Sequence, residues 1–200
     1  MQPVIEFSNR FSKDRPVDVR FICIVGSSGA GKSEAVRILK EQYGNILEFP
    51  VRYTTRPPRP DDDPAENVAI TEKEFERLKA GGQIAFSWKK TLNGVGEFWY
   101  GTPRPSSEDK ICVVSGNNAF AREVRLPEAI VMELWADQAT RKTRLLNRSA
   151  HLSEKEMTAR LEAHDALSLD DVDMRVRNVG TKAELEKALS EIMKIAKTEK

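Results

Sequence analysis

Short apolar runs alternate with amphipathic stretches along most of this 200-residue chain. Three runs are almost free of polar residues, which is typical of strands buried in a parallel sheet: 21–25, 111–114 and 129–135. Residues 173–179 predict one more strand, and 46–53 are extended around a proline. Apolar residues at helical spacing predict four helices: 32–42, 119–126, 137–148 and 181–197. This alternation predicts an α/β domain, a parallel sheet flanked by helices.

Two parts of the chain depart from that alternation. Around 54–101, a capping box at Thr71-Glu72-Lys73-Glu74 opens a helix, and two strands at 83–88 and 97–100 flank an Asn93-Gly94 turn. We interpret this part as a small β-containing insert within a single domain over 20–200. Residues 1–19 contain two prolines and no clear period, and they predict an extension on the surface or partly disordered.

A complete G-x-x-x-x-G-K-S motif directly follows the first buried run, and it predicts a phosphate-binding loop. Its glycines allow a tight turn whose N–H groups face phosphate oxygens, at the positive end of the next helix. Eight residues form the predicted nucleotide site: Gly26, Ser27, Ser28, Gly29, Ala30, Gly31, Lys32 and Ser33. Lys32 would reach the β- and γ-phosphates of ATP, and Ser33 would bind Mg²⁺. The alternative is a glycine-rich turn that caps a helix and binds nothing.

Composition narrows the classes of partner. Lys and Arg total 32 against 31 for Asp and Glu, so the bulk charge gives no reason to expect a nucleic acid partner. Apolar runs fall short of the roughly 20 residues of a membrane span, and residues 1–19 do not resemble a secretory signal. Cys23 and Cys112 lie in apolar runs, as buried thiols do in a reducing compartment, so we expect a cytoplasmic protein. The oligomeric state is left open.

Clusters of arginine carry the remaining candidate chemistry. Arg56 and Arg59 lie three residues apart on a proline-stiffened loop and could grip a phosphate, although a solvated basic turn fits equally well. Farther on, a helix is rich in cations and another arginine follows it: Arg141, Lys142, Arg144, Arg148 and Arg160. Around 147–160 these predict a mobile lid that brings positive charge to a transferring phosphoryl group. Without the phosphate loop, a solvated helix face would be the favoured interpretation.

The aromatic residues of the insert allow two interpretations. Trp88, Trp99 and Tyr100 could line a substrate pocket, but a sheet core is the favoured role for Trp88. The chain's two histidines, His151 and His164, match no metal-site spacing, so the expected metal is the Mg²⁺ that accompanies ATP.

These motifs together resemble the guanylate kinase-like group of P-loop kinases. The resemblance covers about 20–195 and rests on the phosphate loop, on Thr54-Thr55-Arg56-Pro57-Pro58-Arg59, on Tyr100-Gly101, and on Arg148, Arg160 and Asn178. It implies a P-loop NTPase sheet with an acceptor-binding insert and a helical lid. It also implies ATP and Mg²⁺ as cofactors, catalytic roles for Lys32, Arg148 and Arg160, and Asn178 near the adenine.

The acceptor side differs from a guanylate kinase. That group carries a glutamate before the insert tryptophan, where this chain has Ser87-Trp88, and serine cannot accept from guanine as an ionised carboxylate does. The substituted positions look more like the ribose 1,5-bisphosphate phosphokinases, through Glu66-Asn67, Ala85-Phe86-Ser87-Trp88 and Ser115-Gly116-Asn117-Asn118. Val68, Asn118 and a longer hairpin depart from that branch. This resemblance implies the following acceptor-binding residues: Arg56, Arg59, Glu66, Asn67, Ser87, Tyr100, Ser115 and Asn117.

Three hypotheses follow. The first is an ATP-dependent kinase that converts ribose 1,5-bisphosphate, a small phosphorylated acceptor, to 5-phosphoribosyl 1-diphosphate. The second is a guanylate kinase. The third is a non-catalytic module that binds a phosphorylated partner through Arg56 and Arg59, against which the intact Lys32 and Ser33 argue. The sequence shows no clear carboxylate that would assist Ser33 with the metal.

Overall fold

In the computed structural model, the described residues are 4–9, 11, 18–58, 66–92, 96–124, 126–148, 157–158, 161–162 and 167–197. The main sheet has six strands: β1 (Ile5–Phe7), β2 (Phe21–Val25), β3 (Leu47–Glu48), β8 (Ile111–Ser115), β9 (Ala129–Trp135) and β10 (Met174–Arg177). Their order across the sheet is β1-β10-β9-β2-β8-β3. All neighbouring pairs are parallel except β1 with β10. The helices that connect and cover it are α1 (Lys32–Tyr43), α3 (Asn118–Glu123), α4 (Gln138–Arg148) and α5 (Lys182–Lys197). The mixed α/β fold with a mostly parallel sheet is therefore confirmed.

A second sheet of four strands is built from the middle of the chain. Its order is β5-β4-β7-β6, and its strands are β4 (Arg52–Thr54), β5 (Asn67–Ala69), β6 (Ile84–Leu92) and β7 (Gly96–Pro103). Helix α2 (Glu72–Ala80) begins as its capping box predicts, since the Thr71 hydroxyl accepts a hydrogen bond from the Glu74 N–H. One face of this sheet packs on α2, where Phe75 and Leu78 are buried.

Phe120 packs between the two sheets. Its ring centroid lies 5.6 Å from that of Phe86 and 4.5 Å from that of Trp88, both on β6. Phe86 also meets Phe21 of β2 edge to face, with ring centroids 4.9 Å apart. Trp88 is only 4 % exposed, which confirms the favoured role in a core. This aromatic cluster fixes the second sheet over the face of the main sheet opposite to α1 and α5.

Two strands correct the sequence-based expectations. Residues 5–7 were expected in a surface extension, yet they form β1, which pairs antiparallel with β10 at the edge of the main sheet. Residues 67–69 form β5, which pairs parallel with β4. Each strand has three residues, too few to show a period of two, and each is held mainly by backbone ladders. Helix α3 is also shorter than predicted and ends at Glu123.

Both thiols are buried, as their apolar surroundings predicted. Burial raises the pKa of Cys23 above that of an ordinary thiol and raises the pKa of Cys112 to about 12. Neither is a nucleophile at neutral pH. Among the described residues, no helix combines the length and the apolar character that crossing a membrane requires.

We predict that Phe120→Ala destabilises the protein by about 3–5 kcal/mol, because it removes a fully buried ring from the contact between the sheets. Urea unfolding followed by tryptophan fluorescence measures this. Leu146→Ala is the matched control: Leu146 is 50 % exposed on α4, so its truncation is expected to cost less than about 1 kcal/mol. Equal losses for the two variants would contradict the role of Phe120.

Candidate functional site

The phosphate loop joins β2 to α1 and depends on glycine at its ends. Gly26 and Gly31 have φ angles of 143° and 104°, a region that L side chains rarely adopt. A Cβ on Gly26 would overlap the Leu134 carbonyl oxygen, and one on Gly31 would overlap the Asn178 side-chain amide. The motif therefore needs glycine both for its turns and for the close approach of β9 and Asn178.

The start of α1 is arranged to receive an anion. Gly31 occupies the N-cap position and supplies no side-chain hydrogen bond, which leaves the first-turn N–H groups for a ligand. The Lys32 ammonium donates to the carbonyl oxygens of Gly26 at 2.6 Å and Ser27 at 3.1 Å. It thus lies across the loop, while Ser33 is exposed at the helix start. These positions fit the β- and γ-phosphates of a nucleotide and a metal ion beside Ser33.

Asn178 supports the loop from behind. It is buried, and its side-chain amide donates to the Ala30 carbonyl oxygen at 2.8 Å. Its own backbone is held twice, because its N–H donates to Trp135 and its carbonyl accepts from Arg144 at 2.9 Å. The structure therefore places Asn178 against the last residues of the loop. Its proposed closeness to the adenine stays a prediction.

Arg141 contacts the loop from α4, a role that the sequence did not reveal. The side chain is 1 % exposed, its Nε donates to the Ser28 carbonyl oxygen at 2.9 Å, and its Nη2 donates to the Leu161 carbonyl oxygen at 3.2 Å. Burial lowers the pKa of both Arg141 and Arg144 from the usual arginine value. The available signal was that Arg141 shares the buried stripe of α4 with Leu145, where an arginine is unusual.

Much of the predicted lid lies outside the described residues, including Arg160. Arg148 is the last residue of α4. Met157 of the predicted lid forms a small apolar cluster with Leu161, which follows the lid, and with Leu145 of α4. The catalytic roles of Arg148 and Arg160 therefore stay predictions.

On the acceptor side, Arg52 brings together several of the predicted residues, although it was not itself predicted. Its Nη1 donates to the Ser115 carbonyl oxygen at 2.7 Å, and its backbone N–H donates to the Glu66 carbonyl oxygen at 3.0 Å. Asn67 is its partner on β5. Burial lowers the pKa of Arg52, against the opposing effect of Glu66 and Tyr100, which favour the cation. A single arginine at the start of a short strand carries no sequence signal, because most such residues are solvated.

The strand register separates Ser87 from this group. Trp88 pairs with Tyr100, while Ser87 pairs with Gly101, whose Cβ would lie 2.8 Å from the Phe75 ring of α2. Because directly opposite residues share a face, Ser87 belongs to the face that packs on α2. On β4, Thr54 pairs with Tyr100, so Arg52, two residues earlier, shares the face of Tyr100.

The other predicted acceptor residues have different surroundings. Arg56 is buried, with its N–H on the Thr54 hydroxyl at 3.1 Å and its Nη1 on the Pro57 carbonyl oxygen at 2.9 Å. Asn117 caps α3, since its side-chain oxygen accepts from the Phe120 N–H at 3.1 Å. Arg59 lies outside the described residues. The phosphate fork formed by Arg56 and Arg59 therefore stays a prediction.

Known proteins of two kinds are similar to this chain, although no protein-family model matches it. The chain is 31% identical over 166 residues to a guanylate kinase of Rhodococcus jostii, covering 76% of this chain and 78% of that protein. It is 26% identical over 170 residues to a ribose 1,5-bisphosphate phosphokinase of Pseudofrankia inefficax, covering 82% and 85%. A crystal structure of guanylate kinase from Anaplasma phagocytophilum shares the fold, with a TM-score of 0.56 and 19% identity over 92% of this chain and 89% of that one.

We predict that Gly31→Ala weakens Mg²⁺-dependent ATP binding by more than about tenfold, since one displaced loop hydrogen bond to a charged phosphate is worth about 1.5–3 kcal/mol. The added Cβ would meet the Asn178 amide. Calorimetric titration with ATP measures this.

Gly82→Ala is the matched control, because Gly82 also has a positive φ, 68°, but has open space where the Cβ would be. It is expected to lose stability and keep ATP affinity. If both variants bind ATP as the natural protein does, the loop is not the nucleotide site.

Proposed function

Because the chain belongs to the guanylate kinase-like family of P-loop kinases, we propose that it transfers the γ-phosphoryl group of ATP to ribose 1,5-bisphosphate and forms 5-phosphoribosyl 1-diphosphate. The observation that carries the choice of acceptor is the cation on the Tyr100 face of the second sheet. Guanine presents N1–H and amino donors, which need an acceptor, and the Arg52 guanidinium is a donor only, so it could bond guanine at O6 and N7 but not at these donors. With Ser87 where a guanylate kinase carries a glutamate, the N1–H and amino donors have no ionised acceptor at that position, which disfavours guanine.

On the donor side, the loop backbone of 26–31 and the first turn of α1 would hold the triphosphate, with Asn178 and Arg141 keeping the loop in shape. Lys32 would leave the Gly26 and Ser27 carbonyl oxygens and move to the β- and γ-phosphate oxygens. Ser33 would ligate Mg²⁺, which supplies charge neutralisation at those oxygens when it is bound.

In the transfer step, an oxygen of the acceptor phosphate attacks the γ-phosphorus, and the bond from that phosphorus to the β-phosphate oxygen breaks to release ADP. The attacking oxygen is already ionised at neutral pH, so the step requires no general base. Lys32, Arg148 and Arg160 would neutralise the charge on the transferring group, while Arg56 and Arg59 hold the acceptor. One arginine in such a role contributes about three to five orders of magnitude in rate.

A coupled assay of the purified protein tests the choice of acceptor. We expect turnover of ribose 1,5-bisphosphate with ATP and Mg²⁺, and little with GMP. Guanylate kinase is the second candidate, because the relative at 31% identity carries that name. Turnover of GMP without turnover of ribose 1,5-bisphosphate would establish it in place of the proposal. Absence of Mg²⁺-dependent ATP binding in a titration would instead favour the non-catalytic phosphate-binding module.

We predict that Lys32→Ala lowers kcat by about 100-fold or more, because it removes a preorganised cation from the transferring phosphoryl group. Steady-state kinetics with saturating ATP measures this. Lys40→Ala is the matched control, since Lys40 is an exposed lysine of the same helix and lies more than two turns away. A kcat for Lys32→Ala close to that of Lys40→Ala would remove Lys32 from the mechanism.

A further inference from the structure

Arg52 lies at the edge of the main sheet where ligands of parallel α/β sheets bind. Its guanidinium is fixed on the carbonyl oxygen of Ser115, the last residue of β8. Ser115 pairs with Ile24 of β2, two residues before Gly26 and the phosphate loop. The carboxyl ends of parallel strands form the ligand crevice in such sheets. The arginine of the second sheet thus reaches over to the crevice beside the loop.

The Arg52 guanidinium can donate further hydrogen bonds in this crevice. It carries five N–H donors, and within the described part of the chain the Ser115 carbonyl oxygen is the acceptor that it uses. The nearby Glu66 is exposed and interacts with Arg52 through charge, while Asn67 stands beside Arg52 on β5. A half-buried guanidinium whose other N–H groups can still donate is suited to a phosphate, which it can bind bidentately.

Arg52 and Arg56 are spaced for two separate anions. They are four residues apart on β4 and its continuation, so at about 3.3 Å per residue their Cα atoms are at most about 13 Å apart. The Arg56 guanidinium donates to the carbonyl oxygen of the adjacent Pro57, whereas the Arg52 guanidinium donates to the carbonyl oxygen of Ser115 on the main sheet. Two guanidinium groups with separate anchoring points at this spacing can hold the two ends of a small molecule with a phosphate at each end.

From this arrangement, and resting on the proposed function, we propose that Arg52 binds the second phosphate of a bisphosphorylated sugar, the phosphate that Arg56 does not hold. Arg52 is then the residue that selects a sugar bisphosphate over a nucleoside monophosphate. A nucleotide offers one phosphate and a base, and the base would have to occupy the place of the second phosphate. Arg52 thereby gives a sugar bisphosphate a charge-assisted pair that a nucleoside monophosphate cannot make.

Binding measurements on Arg52→Gln test the proposal. Ribose 1,5-bisphosphate, ribose 1-phosphate and ribose 5-phosphate are titrated into the protein in the presence of Mg²⁺ and a non-hydrolysable ATP analogue. We expect affinity for the bisphosphate to fall by roughly 10- to 100-fold, as loss of a hydrogen-bonded charge pair predicts. Affinity for one of the two monophosphates should fall similarly, and affinity for the other should not change, because that ligand lacks the phosphate that Arg52 binds.

Two further variants complete the test. Arg77→Gln is the matched control, since Arg77 is an exposed arginine of α2 paired with Glu74, and all three affinities should stay unchanged. Arg52→Lys keeps the cation but loses the bidentate fork, so it should fall between Arg52→Gln and the natural protein. It also serves if Arg52→Gln fails to fold, which thermal unfolding of each variant reveals.

The outcomes separate this inference from the proposed function. Failure of the natural protein to bind or turn over ribose 1,5-bisphosphate overturns the proposed function, and the inference with it. If the natural protein uses the bisphosphate and the Arg52 variants bind all three ligands unchanged, the inference alone is overturned. Equal weakening of all three ligands likewise overturns it, because Arg52 would then act only on the shape of the site.

Discussion

The conformation of the phosphate loop depends on close packing at its three glycines, where neighbouring elements occupy the space that a side chain would take. Strand β9 approaches Gly26, the backbone of Arg141 lies 2.9 Å from where a Cβ of Gly29 would be, and the Asn178 amide fills the corresponding place at Gly31. Hydrogen bonds from Arg141 to Ser28 and from Asn178 to Ala30 then fix the loop carbonyls outward. With those carbonyls held, the N–H groups at the start of α1 face inward, toward the place of a phosphate.

The acceptor side depends on a different constraint, the aromatic contact of Phe120 with Phe86 and Trp88. That contact fixes which face of the second sheet meets the main sheet. The strand register then determines which side chains lie on that face, because a shift of one residue would exchange the two faces of the shifted strand. As built, Tyr100 and Arg52 lie on the inner face, and Ser87 and Gly101 lie on the face covered by α2.

The elements that could be predicted from the sequence are those with a periodic pattern of apolar residues or a motif of fixed spacing. The buried strands 21–25 and 129–135 have the bounds expected, and the capping box at Thr71 starts α2 as expected. Strands β1 and β5 were missed because a three-residue ladder has no period, and its partner is distant in the chain. Arg52 and Arg141 were missed for a related reason. Their hydrogen-bond partners are backbone carbonyls 63 and 113 residues away, so a local pattern shows at most that Arg141 is buried and not what it contacts.

Three arginines around the candidate site share a choice of partner that is consistent with a predicted site for polyanions in a chain of net charge +1. Arg52, Arg141 and Arg144 donate to backbone carbonyls, those of Ser115, Ser28 and Asn178. On the surface, by contrast, Arg37 and Arg77 pair with carboxylates of their own helices. A carbonyl orients a guanidinium without cancelling its charge, whereas a carboxylate neutralises it. The burial that lowers the pKa of the three inward arginines also strengthens their attraction for an entering phosphate, because both effects arise from the loss of water around the charge.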